Sequence, residues 1–210
     1  MPRGVTQRSD MILGLDFDNT IARYDELFFK LARERDLIPA DLPHDKTAIR
    51  DFLRQRGHED NWTKLQGIAY GPRITEAQPF TGVTETIARL VLAGIETHIV
   101  SHKTKTPYRG KPHDLHAAAR NFLNHHGISP QHIPAERVHL CPTKDAKLER
   151  IGTLGCTHFL DDLPEFLAEP AFPTSTQRLL FDPAQKHMIR PRVQRICRWT
   201  DLLACTPTSP

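Results

Sequence analysis

Two aspartates at alternate positions, Asp16 and Asp18, close the apolar run from Met11 to Leu15, and a threonine follows at Thr20. A carboxylate can attack an electrophile, move a proton, or bind a hard cation. Side chains alternate along a strand, so Asp16 and Asp18 start on the same side of it. Their charges repel, and such a site needs a cation or a shared proton. Read alone, the stretch is equally a strand ending in Asp-rich turn residues. Three later segments add reactive residue types: Ser101 closes Thr97–Val100, Lys144 stands in Pro142–Asp145, and Asp161 and Asp162 follow His158–Leu160.

These residues need elements to position them. A short apolar run that stops abruptly at polar residues reads as a strand buried on both faces of a parallel sheet. Ligands of such sheets collect outside the carboxyl ends of the strands, where Asp16 and Asp18 would lie. Further strands are predicted at Ile95–Val100, Arg137–Cys141, Thr157–Leu160 and Gln177–Phe181, with Gln177–Phe181 as the final one. Helices are predicted between them, at Thr84–Leu92, Asp114–His126 and Lys144–Ile151. Alternating strands and helices predict an α/β fold, with a Rossmann-like, doubly wound parallel sheet between two helical layers. The stretch Tyr24–Gly71 lacks strand alternation. Leu27, Phe28, Leu31 and Ala32 share one helical face, as do Ala48, Ile49, Phe52 and Leu53, and Trp62, Leu65 and Ala69 continue the pattern. Gly71-Pro72 and Gln78-Pro79 mark the return to the sheet, with Arg73 between them.

In order, Asp16-Phe17-Asp18-Asn19-Thr20, Ser101, Lys144 and Asp161-Asp162 match the four motifs of the haloacid dehalogenase-like superfamily, and the chain resembles that family over residues 11 to 182. Most members are Mg²⁺-dependent phosphatases and phosphotransferases. The resemblance implies a core of residues 1–23 and 72–210 and a helical cap of residues 24–71, although the same helices could simply extend the core. It makes Asp16 the nucleophile that becomes an aspartyl phosphate. Asp18 becomes the acid that protonates the leaving alcohol and then the base for water, a second aspartate that the family's dehalogenases lack. Ser101 would donate to a phosphoryl oxygen, and Lys144 would set a positive charge beside Asp16. Thr20, Lys105 and Arg109 are expected to touch the substrate, the last two from the basic loop after Ser101, where a second anionic group could be held. Mg²⁺ is the implied cofactor, because four carboxylates cannot share a pocket with a phosphate unaided. Its ligands would be Asp16, the Asp18 carbonyl and Asp162, with Asp161 acting through water. Lys147, one turn beyond Lys144, competes for the lysine role. Lys144 is preferred because it opens its helix, where a cation is unfavourable for the dipole and so has a local task. Lys147 is then expected to be solvated.

Composition agrees. The 210 residues are 39% apolar and 25% charged, ordinary for one globular core. No run is long enough to span a membrane and no signal segment opens the chain, so a cytoplasmic protein is expected. The four cysteines have neither metal-ligand nor disulfide spacing, and the twelve histidines read as surface residues. A net charge of +3 is too small to imply nucleic acid. Ala184–Thr200, basic without acids, reads as a solvated C-terminal segment. The polar ends, Met1–Asp10 and Thr206–Pro210, are expected to be frayed. The reading is a phosphatase of a small phosphorylated metabolite. A phosphomutase and a non-catalytic phosphate-binding module are the alternatives.

Overall fold

Ile12–Leu15 (β1) runs through the middle of a six-stranded sheet, and the rest of the chain is wound around it. The computed structural model describes residues 10–205, so the polar ends, Asp10 apart, lie outside the described residues. After β1 the chain passes through Ala22–Arg23 (β2) and three helices, Asp25–Arg33 (α1), Lys46–Gln55 (α2) and Glu59–Ala69 (α3). It returns through Gln78–Pro79 (β3), antiparallel to β2, at the expected crossing. Alternation follows: Val83–Leu92 (α4), Glu96–His102 (β4), Leu115–His125 (α5), Val138–Cys141 (β5), Lys144–Thr153 (α6), His158–Asp161 (β6), Pro164–Leu167 (α7), Gln177–Phe181 (β7) and Val193–Ile196 (β8).

The sheet order is β5-β4-β1-β6-β7-β8, and every neighbouring pair is parallel. The winding reverses at β1, which has β4 on one side and β6 on the other. That reversal is where open α/β sheets leave a crevice at their carboxyl edge. β1 can lie this close to β6 because residue 14 is glycine; a Cβ there would meet the Phe159 ring at 2.4 Å. The predicted apolar faces of the first three helices are buried, including Leu27, Phe28 and Leu31, Ile49 and Leu53, and Trp62 and Leu65. They join the same apolar cluster as Leu13, Leu15 and Ile99 of the sheet. Arg73 ties the return crossing to Glu34 and Glu76.

Three expectations are corrected. Gln177–Phe181 is not the last strand, because Val193–Ile196 pairs beyond it in parallel. The basic segment is therefore only partly solvated: Ile196 and Trp199 are buried, and the Trp199 indole donates to the Thr20 carbonyl at 3.1 Å. Arg195 lies within β8 and Arg190, Arg192 and Arg198 flank it, which hides the strand among charges. Not all histidines are superficial either. His98 is buried, 3.2 Å from His139 and 2.9 Å from Glu96.

Burial, helped by His98 and the nearby Arg150 and Arg120, pushes the His139 imidazole down from 6.5 to about 4. The proton then binds the unfolded chain better than the folded one, so the stability His139 contributes is full above 6.5 and is lost as pH falls through about 4. Thermal midpoints measured between pH 6.5 and 4 should fall less steeply in His139→Gln than in the unaltered protein. Parallel curves would assign the acid sensitivity to other groups.

Candidate active site

Level positions on adjacent parallel strands bring the acids together. Leu15 of β1 is in register with Leu160 of β6, so the next residues, Asp16 and Asp161, stand side by side at the carboxyl edge. The Asp16 amide donates to the Leu160 carbonyl at 2.9 Å, which extends that register into the loop. Leu15 is also in register with Ile99 of β4, which sets Ser101 level with Phe17 at the same edge, where it is buried. The loop then turns through Asn19, whose φ of 58° lies in the left-handed region that asparagine tolerates.

Carboxylate oxygens of Asp16, Asp161 and Asp162 lie within 4.8 Å of one another. The Lys147 ammonium is 2.6 Å from both Asp16 Oδ1 and Asp161 Oδ2 and is buried. Burial alone would lower the Lys147 pKa, but the charges of Asp16 and Asp161 and the hydrogen bonds to them raise it. The other Asp161 oxygen accepts from the Leu163 amide at 2.9 Å. Burial, with Asp16 beside it, pushes the Asp161 carboxyl up despite Lys147. Asp162 is pushed well up by burial and by the charges of Asp161 and Asp16. Three carboxylates against one ammonium leave an all-oxygen pocket with excess negative charge. That donor set fits a hard divalent cation.

Asp18 is held apart from this cluster. Tyr24 Oη donates to its Oδ1 and Lys103 Nζ to its Oδ2, both at 2.6 Å. Burial would raise the Asp18 carboxyl, but the Lys103 charge and the two hydrogen bonds, with Lys46 adding, hold it below its ordinary value. Lys103 is itself fixed by its backbone: its amide donates to the Cys141 carbonyl of β5 at 2.8 Å, and His116 Nε2 donates to its carbonyl at 2.8 Å. From the helical layer Lys46, the first residue of α2, reaches in over the Phe28 and Tyr70 rings, 3.5 Å from Asn19 Oδ1.

Solved structures share this architecture. The putative HAD hydrolase YfnB of Bacillus subtilis, described as bound to magnesium, is 16% identical, with 95% of this chain and 99% of that one covered and a TM-score of 0.56. A HAD family hydrolase of Deinococcus radiodurans, with bound phosphate and sodium, is 14% identical, covered 95% and 96%, with a TM-score of 0.58. The L-2-haloacid dehalogenase of Xanthobacter autotrophicus, with chloropropionic acid covalently bound, is 14% identical, covered 91% and 97%, with a TM-score of 0.53. The fold is that of the haloacid dehalogenase-like hydrolases. No protein-family model and no curated protein matches the chain.

Within the haloacid dehalogenase-like fold, Asp16, Asp161 and Asp162 converge as expected, and Ser101 lies at the same edge. The lysine is the main correction. Lys144 points outward to Glu169 at 2.7 Å and is half-exposed, whereas Lys147 occupies the cluster. Thr143 caps α6, accepting from the Ala146 amide at 3.1 Å, so Lys144 sits in the outer first turn. Helical side chains lean toward the N-terminus, and a lysine one turn further in leans back over the sheet edge. Lys105 and Arg109 also fall outside the cluster: both are exposed, and Arg109 faces Asp60 at 3.8 Å. Thr20 is fully buried, its hydroxyl without a hydrogen-bond partner among the described residues. Sequence reasoning missed Tyr24, Lys46 and Lys103 as site residues. Lys103 alone had a signal, standing two residues after Ser101 and hence on the same side of an extended strand.

Proposed function

We propose that the protein is a Mg²⁺-dependent phosphatase of a small phosphorylated metabolite, acting through an aspartyl phosphate on Asp16. The observation that carries this reading is the convergence of Asp16, Asp161 and Asp162 within 4.8 Å, with Lys147 bridging the first two. Asp16, Asp162 and the Asp18 carbonyl would hold the cation. Bound Mg²⁺ would neutralise the carboxylates and the charge gathering on the phosphoryl oxygens. Lys147, 2.6 Å from Asp16 Oδ1, holds that carboxylate in place. One Asp16 oxygen attacks phosphorus while protonated Asp18 gives its proton to the departing alkoxide, and Ser101 donates to a non-bridging oxygen. Asp18 then takes a proton from the water that attacks the aspartyl phosphate, freeing phosphate and restoring Asp16.

Lys103 and Tyr24 favour ionised Asp18, which suits that second, basic duty. Its acidic duty is the weaker half, so esters with good leaving groups should react faster. The presence of Asp18 supports phosphoryl transfer over the dehalogenation carried out by one of the structural neighbours. Helices α1–α3 are read as a cap, with β2 and β3 as its two crossings and Lys46 as its cation over the site. The compartment proposed is the cytoplasm, in keeping with four free cysteines. No helix among the described residues is long and apolar enough to cross a membrane.

Chelator should abolish phosphate release and Mg²⁺ should restore it. Because the folded pocket gathers three carboxylates, added Mg²⁺ should also raise the thermal midpoint. Full turnover in metal-free protein would remove the reading.

A further inference from the structure

A cavity of about 410 Å³ opens beside Asp18, between α3 and the loop after β4. Its volume lies in the range of small-molecule sites, about 300–1,000 Å³. Thr63, Gln66 and Tyr70 line it from the helical side, and Pro107 and Tyr108 from the loop. The loop sits tightly on α3: a Cβ at Gly67 would be 3.1 Å from both the Arg109 carbonyl and Pro107.

The charges around this cavity are already committed. Lys103 is its only lining lysine or arginine, and its ammonium is 2.6 Å from Asp18. Lys105 and Arg109, the residues expected to hold a second anion, are not among the lining. The Arg109 guanidinium faces Asp60 on the outside, and Lys105 meets the Leu115 amide only through its carbonyl. An anionic group entering here would lose its water and face Asp18 with no unpaired lysine or arginine in the lining to receive it. The walls instead offer the Tyr70 and Tyr108 rings, the Gln66 amide, the Thr63 and Thr104 hydroxyls and the His102 imidazole. The Thr63 hydroxyl donates to the Glu59 carbonyl at 3.0 Å and so presents its lone pairs inward or to solvent as an acceptor. Tyr108 stands at the rim with 82% of its surface exposed, a large ring left uncovered beside the opening.

We propose that this cavity receives the alcohol half of the substrate, and that this half is uncharged and carries a flat ring, as a nucleoside does. The proposal rests on the phosphatase reading. The ring lies against Tyr70 and Tyr108, Gln66 and Thr63 meet its polar edge, and the ester oxygen points toward Asp18. Stacking and amide hydrogen bonds then select the leaving group.

Two esters test it: adenosine 5′-monophosphate, with a flat uncharged alcohol, and phosphoglycolate, whose alcohol carries a carboxylate. With Mg²⁺, kcat/KM should favour the nucleotide by about tenfold or more, the scale of a lost stacking contact plus an unpaired charge. The same order should appear in calorimetric binding to Asp16→Asn. Gln66→Lys, which adds a cation to the wall, should move the ratio toward phosphoglycolate by about tenfold. Tyr108→Ala should lower the nucleotide preference in both measurements. Equal or better use of phosphoglycolate by the unaltered protein, or binding of neither ester, overturns the proposal. Preferential binding of the nucleotide without turnover of either ester would remove the phosphatase reading and leave the cavity's assignment standing.

Discussion

Replacing Lys147 by methionine is expected to lower kcat by about 10²–10³, the effect of removing one preorganised charge from a water-poor site. Lys144→Met should change it by no more than about twofold, because a solvent-facing ion pair contributes little. The contrast follows from where each ammonium ends. Lys147 reaches Asp16 and Asp161, both at 2.6 Å, whereas Lys144 reaches Glu169 on the surface. Removing Lys147 also leaves buried carboxylates uncompensated, which typically costs about 3–5 kcal/mol. Lys147→Arg therefore accompanies it: it keeps the charge, and failure of this variant in a folded protein shows that shape as well as charge matters. Circular dichroism of both variants separates lost chemistry from lost fold. Activity lost in Lys144→Met and kept in Lys147→Met would reverse the assignment.

Asp16→Asn should abolish phosphoenzyme formation, because an amide is a poor nucleophile. Asp18→Asn should fail differently. With an aryl phosphate the phenolate leaves with little protonation, so the first step survives in part. Water must then attack the aspartyl phosphate without a base, and losing general base help slows that step by about 10²–10⁴. The variant should release a burst of phenol approaching one equivalent per site and then nearly stop, leaving hydroxylamine-labile phosphate on the protein. With an alkyl phosphate both the burst and the trapped phosphate should shrink. Since Tyr24 and Lys103 both donate to Asp18, the amide introduced by Asp18→Asn keeps an acceptor for one of them, and the loop should hold its shape. Phosphate mapped to residue 18, or trapped by Asp16→Asn, would overturn these roles.

The parts of this site legible in the sequence are those written along strands. Asp16 and Asp161–Asp162 end apolar runs, and parallel register alone brings them to one edge. Ser101 is legible for the same reason. The lysine was not, because two candidates one helical turn apart differ only in which way the side chain leans, a matter of how α6 packs on the sheet. Lys46 and Tyr24 belong to a helical layer whose placement over the edge depends on tertiary packing, and no local pattern distinguishes them from surface or core residues. Lys105 and Arg109 show the converse. A basic loop in the right place in sequence turns its charges outward when its backbone is pinned by Leu115 and Gly67. β8 escaped detection because its two apolar residues stand among Arg190, Arg192, Arg195 and Arg198, a run that resembles a solvated tail.

The hydrogen bond from Trp199 to the carbonyl of Thr20 spans 179 positions of chain. Synthesis delivers the Asp16–Thr20 loop long before Trp199. β1 emerges without either of its sheet neighbours, since β4 begins at Glu96 and β6 at His158. Until those strands arrive, its backbone has no partner strand on either side, and contacts this distant in sequence form slowly. Closure of the Asp16–Thr20 loop thus waits for Trp199: a growing polypeptide that already carries Asp16, Ser101 and Lys147 still lacks the residue that donates to the Thr20 carbonyl. Messages broken between codons 162 and 199 would yield chains carrying Asp16, Ser101, Lys147, Asp161 and Asp162 without the Trp199 hydrogen bond to the Thr20 carbonyl.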